Sequence, residues 1–155
     1  MMSLCLSDSI PLLNSPIKYD YRFLPPSAWT WGQALYQERW GLHVFPTEEQ
    51  ALNIMLLAHK LSLIQAYFPL AKITPVSWLR ARPYNVLIGG AKESAHITGE
   101  AVDFIVEGAE SWRVRERLST ELDNLKIRME RLPKNANWIH IDIKDPGLSG
   151  RYFNP

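Results

Sequence analysis

Ser94-Ala95-His96-Ile97-Thr98-Gly99-Glu100-Ala101-Val102-Asp103, read together with Trp138-Ile139-His140-Ile141-Asp142, decides how this chain folds. The first stretch leaves a Gly-containing loop and runs into a β-prone segment. The second is a short strand. His140 lies 37 residues beyond Asp103. Two imidazoles and a carboxylate are ligand types that a catalytic metal site takes while leaving a fourth position open. Gly99 permits a turn with positive φ that folds His96 and Asp103 toward one point. Residues two apart on a strand share a face, so His140 goes with Asp142, and Asp103 with Ala101 and Ile105. If the two strands are neighbours, Asp103 and His140 enter one pocket. The alternative for these residues is a buried histidine satisfied by a carboxylate.

Working outward, Pro46-Thr47-Glu48-Glu49-Gln50 is a capping-box helix start, and the helix runs to about Tyr67 before Phe68-Pro69. Leu52, Met55, Leu56, Leu63 and Tyr67 recur on it at helical steps, with enough other apolar residues to predict deep burial. Lys72 to Leu79 is β-prone, and Pro75 marks it as an edge or irregular strand. Arg80 to Ala95 reads as a long loop, of a length that is often functional. Ala101–Val106 reads as a strand and Glu110–Asn124 as an amphipathic helix. Lys126–Arg131 and Asn137–Lys144 read as a hairpin connected through Pro133–Ala136. Trp29 to Arg39 suggests a short helix, residues 1–28 an extended N-terminal arm, and Pro146–Pro155 an irregular tail. The order of elements predicts one α+β domain over 29–155, a small antiparallel sheet packed against helices.

Composition narrows the function. The 155 residues suffice for one core, and 46% hydrophobic with 21% charged residues is globular. Seventeen basic against 16 acidic residues give no long-range field for a polyanion. Arg113, Arg115, Arg117, Arg128 and Arg131 are interleaved with glutamates, as on a solvated face, so no nucleic-acid partner is expected. Cys5 is the single cysteine, which excludes an internal disulfide. Met1 to Leu13 lacks a secretory signal pattern, and no stretch reaches membrane-span length, so the chain is expected to be cytoplasmic at synthesis. His43 and His59 have no matching carboxylate pattern and read as structural or solvent-facing. Trp78 and Trp138 flank the candidate site, lining a groove or plugging the core; Trp29, Trp31, Trp40 and Trp112 are assigned to packing.

Ser-x-His-x-x-Gly-x-Ala-x-Asp followed by Trp-Ile-His-x-Asp resembles the D-Ala-D-Ala carboxypeptidase-like zinc peptidases, whose fold is shared with the hedgehog signalling domain. Ser77-Trp78-Leu79-Arg80, Asn85, Gly89-Gly90-Ala91 and Ser94 extend the resemblance, which covers about Pro46 to Asp142. It implies a hedgehog/DD-peptidase-like fold and Zn2+ held by His96, Asp103 and His140. Arg80 matches an arginine that in relatives meets the substrate near the scissile bond or its carboxylate; its alternative is a surface ion pair. Ser94 either bonds substrate or shapes the ligand turn. Many relatives carry a Glu or Asp three residues before the last histidine as general base, and here that position is Asn137, which cannot take a proton. Asp142 is the nearest substitute, either as base or as a carboxylate orienting a neighbouring group. A simple hairpin register pairs Glu130 with Ile139 and turns it away from His140. The implied activity is a zinc metallopeptidase of D,D- or L,D-carboxypeptidase or endopeptidase type, acting on peptidoglycan stem peptides or cross-bridges. A phage-encoded enzyme of lysis or tail, acting on the cell wall, fits a chain without a signal peptide. Asn137 leaves open a non-catalytic zinc-binding module of the same fold.

Overall fold

Thr47 caps the longest helix as its sequence requires. Its hydroxyl accepts from Gln50 N–H while the Gln50 side chain accepts from Thr47 N–H. A computed structural model of the chain describes residues 28–154 and, before them, two short paired strands, β1 (Ser9–Ile10) and β2 (Ser15–Pro16). The expected N-terminal arm otherwise lies outside the described residues, as does Cys5.

The chain then forms α1 (Trp31–Leu35), a small ribbon of β3 (Tyr36–Gln37) and β4 (Leu42–His43), and α2 (Glu48–Gln65). Next come β5 (Ile73–Ser77), α3 (Arg82–Leu87), β6 (Ala101–Val106), α4 (Ser111–Ser119) and α5 (Leu122–Leu125). Last are β7 (Arg128–Glu130), β8 (Ile139–Asp142) and β9 (Tyr152–Phe153). The main sheet has the order β5-β6-β8-β7-β9, antiparallel throughout except that β9 joins β7 in parallel. Val102, Phe104 and Val106 of β6 enter one core with Ile139 and Ile141 of β8, Met129, and the inner faces of α2, α4 and α5. Helices against a small, largely antiparallel sheet make this the α+β architecture expected.

Several local readings need correction. The buried stripe of α2 is Ala51, Ile54, Leu57, Ala58, Leu61 and Ile64, while Leu52, Leu56 and Leu63 face outward. The helix is apolar on two sides, so periodicity alone cannot choose its rotation. Gln50 and Asn53 choose it, by donating to the carbonyls of Ile97 and Thr98. The predicted helix over 29–39 stops at Leu35 and gives way to β3, and the one over 110–124 breaks between Ser119 and Leu122. The tail supplies β9 rather than ending irregularly.

The loop read over 80–95 contains α3, because Pro83 sits in the first turn, where a missing N–H costs nothing. Behind α3 the buried Asn85 amide donates to Ala91 O and lies directly against Gly90. A Cβ on Gly90 would overlap the Asn85 carboxamide. Gly90→Ala is therefore expected to cost about 1–3 kcal/mol by overpacking, read as a lower midpoint in urea unfolding.

Arg115 and Arg128 are not on a solvated face. Arg115 is buried and donates to the carbonyls of Pro133, Ala136 and Trp138, clamping the connection that leads into β8. Arg128 is spent on Asp142, across the β7–β8 pair.

Candidate metal centre

Register places the chemistry in one row across the sheet. Ser77 stands opposite Asp103, and Asp103 opposite His140. On β7, Arg128 pairs with Asp142 and Met129 with Ile141, so the next rung sets Glu130 beside His140. The carboxylate Oε2 of Glu130 is 4.0 Å from His140 Nδ1. This overturns the expected pairing of Glu130 with Ile139: a slip of one residue turns a strand side chain to the other face. The clamp by Arg115 and the Arg128–Asp142 pair set a register that a simple hairpin loop does not.

His96 reaches the row from the turn before β6. The N-terminal end of α2 grips that turn through Gln50 and Asn53. Gly99 has φ of 75°, and a Cβ there would stand 2.9 Å from the Gln50 carbonyl oxygen, so glycine is required on both counts. The Ser94 hydroxyl accepts from His96 N–H at 3.3 Å within the same turn. His96 Nδ1–H donates to Trp78 O at 2.7 Å, which turns the lone pair of Nε2 toward Asp103 and His140.

The three groups fit a metal ion. His96 Nε2 is 3.3 Å from Asp103 Oδ1 and 3.3 Å from His140 Nδ1. With bonds of about 2.0 Å, the corners of a tetrahedral zinc site stand about 3.3 Å apart. The third side is a 2.7 Å hydrogen bond in which His140 Nδ1–H donates to Asp103 Oδ1. All three ligand atoms lie within 4.8 Å of one another.

Electrostatics separates the carboxylates. Burial opposes charge on Asp103, but His96 and His140 outweigh it and hold the carboxyl well below the usual range. Burial lowers His96. Burial also pulls on His140, yet its hydrogen bond with Asp103 and the carboxylates of Asp142 and Glu130 leave it pushed up to about 9. Asp142 is kept low against burial by the ring of His140, 3.8 Å away, and by Arg128, which binds both its oxygens at 2.7 and 2.8 Å. Glu130 is raised by burial, and it makes no hydrogen bond among the described residues.

Arg80 is not at the surface. Its Nε donates to Ser77 Oγ at 2.9 Å and one terminal nitrogen to Asp103 Oδ2 at 2.7 Å, inside a part-buried ion pair. Asn137 is exposed on the wall of a separate recess with Trp112 and Lys134. Trp78 belongs to the core, whereas Trp138 is 37% exposed; Trp40 stands at the surface, edge-on to Tyr84. His59 is exposed, and the His43 ring lies 5.2 Å from that of Tyr36.

A sequence profile of the family described as Peptidase M15 matches residues 34–142, over two-thirds of the chain. The chain belongs to the peptidase M15 family. This is the zinc D-Ala-D-Ala carboxypeptidase-like family that the two motifs resemble. Comparison with curated proteins gave no match. The M15 match spans every segment of the row from Ser77 to His140, together with the turn that carries His96. Glu130 is the residue that a simple hairpin register turned away from the site, and the signal for its true place was the opposite-charge pair Arg128 and Asp142, which fixes the register.

Proposed function

We propose that the protein is a zinc-dependent peptidase that hydrolyses amide bonds in peptidoglycan stem peptides or cross-bridges. The observation that carries this reading is the convergence of His96, Asp103 and His140 on one point with the carboxylate of Glu130 beside His140. The peptidoglycan substrate and the cell-wall setting rest on the family resemblance.

His96 Nε2, Asp103 and His140 Nδ1 are the groups that would hold the ion. Zinc supplies there the acidification of a water molecule and the polarisation of the scissile carbonyl. Glu130 takes the proton from the attacking water and returns it to the leaving amine, a role that suits a carboxyl raised by burial. Arg80, held in place by Ser77 and Asp103, offers its remaining N–H groups to a substrate carboxylate or to the developing oxyanion. Asp142 acts through Arg128: it locks the register that brings Glu130 to His140. Asn137 no longer argues for an inert module, because the acidic group comes from the neighbouring strand.

The test is digestion of purified peptidoglycan by the zinc-loaded protein and by His96→Ala, with metal analysis of both. The parent is expected to hold one zinc per chain and to release soluble peptides or new amino groups; the variant is expected to do neither. Zinc retained by the parent with nothing released would instead favour a non-catalytic module.

A further inference from the structure

A cleft of about 840 Å³ adjoins the metal centre, within the size range of ligand sites. Ser77 and Arg80 line it, and these are the residues that flank Asp103. The cleft therefore opens on the face where the row of site residues lies. Its opposite wall is the stretch from α1 to β4, where it meets Tyr36, Arg39 and His43. The walls are tied together before any ligand arrives. Tyr84 of α3 accepts a hydrogen bond from Arg39 N–H at 3.3 Å, and the Trp40 ring stands edge-on to it at 5.1 Å. Gln37 binds Leu79 O and Ala81 N–H behind them.

Two features say what such a cleft takes. First, β5 is an edge strand of the sheet. Its start is covered, since Trp29 Nε1–H donates to Ile73 O, but Pro75, Val76 and Ser77 face the cleft. Val76 falls at the register shift against β6 and leaves its side chain half exposed. An extended peptide is the ligand that an edge strand seats. Second, the charges are unequal. Arg80 is matched by Asp103, whereas the exposed Arg39 guanidinium makes no ion pair among the described residues. Glu38 is the single acidic side chain lining the cleft, against Arg39 and Arg80. With Arg80 matched by Asp103, Arg39 is the guanidinium of the cleft wall that remains for a carboxylate on a ligand.

We propose that this cleft seats an extended segment of the substrate along β5 and that Arg39 selects a carboxylate side chain on that segment. This rests on the peptidase reading and names the kind of peptide it takes: an acidic one. Arg39 acts in recognition only and touches no reacting atom.

The test uses full-length, zinc-loaded protein and synthetic peptides ending in D-Ala-D-Ala, with a single glutamate or glutamine moved along the chain. Binding is read by titration calorimetry on the Glu130→Gln background, so that turnover does not interfere. At one position the glutamate peptide is expected to bind roughly fivefold more tightly than its glutamine counterpart, the size of a part-exposed ion pair. Arg39→Glu is expected to erase or reverse that preference, and Arg39→Lys to keep most of it. Equal binding of all pairs, or a preference that survives Arg39→Glu, overturns the proposal. Absence of turnover in the parent would count against the peptidase reading, and the binding ratio would still decide the role of Arg39.

Discussion

Glu130→Gln is expected to lower kcat by roughly 10²–10⁴-fold, the range for removal of a positioned general base, while zinc content and thermal stability stay at the parental level. The substitution keeps the shape of the side chain and removes only its capacity to take a proton. Glu130 makes no hydrogen bond among the described residues, so no buried partner is orphaned. Its carboxylate lies 4.0 Å from His140 Nδ1, and glutamine preserves the packing there. The decisive measurement is the rate of peptide release by zinc-loaded protein at fixed metal occupancy. Near-parental activity in Glu130→Gln would remove Glu130 from the chemistry and return the question to Asp142.

Asp142→Ala is expected to behave in the opposite way, failing in stability before chemistry can be compared. Its carboxylate is 1% exposed, both oxygens are bound by Arg128, and Lys144 N–H donates to one of them. Removing one partner of a buried ion pair leaves the other charge stranded, at about 3 kcal/mol or more. In a chain of this size that is a fall in Tm of roughly 6–12 °C. The double variant Arg128→Met, Asp142→Leu should recover much of the loss, because apolar residues of similar volume can replace a buried pair. Thermal unfolding of the single and double variants checks both statements. A stable Asp142→Ala protein with abolished turnover would show that Asp142, not Glu130, handles the proton.

Much of the centre was legible because its geometry is local. His96 and Asp103 are joined by a turn whose one special backbone angle falls on Gly99, and residue type announces that requirement. Thr47 and Gln50 likewise declare their helix start. What stayed hidden depends on partners distant in sequence. Nothing near Glu130 says whether it meets Ile139 or His140, since that choice is one step of register fixed by Arg115 and Arg128 from elsewhere. The rotation of α2 was hidden for a similar reason. Two apolar stripes compete on it, and polar contacts to Ile97 and Thr98 decide between them. Arg115 read as one charge among many on an amphipathic helix, although carbonyls 18 to 23 residues away bury it.

The row from Ser77 through Asp103 and His140 to Glu130 joins four strands that are neighbours in the sheet but out of chain order. Synthesis runs from the amino end, so a nascent chain that has just passed Asp103 already contains His96, Arg80 and the residues that line the cleft but lacks His140 and Glu130. Glu130 and His140 arrive in the same late hairpin, and β8 inserts between β6 and β7 to complete the set. On the peptidase reading proposed above, a fragment that ends before this hairpin would lack a complete centre.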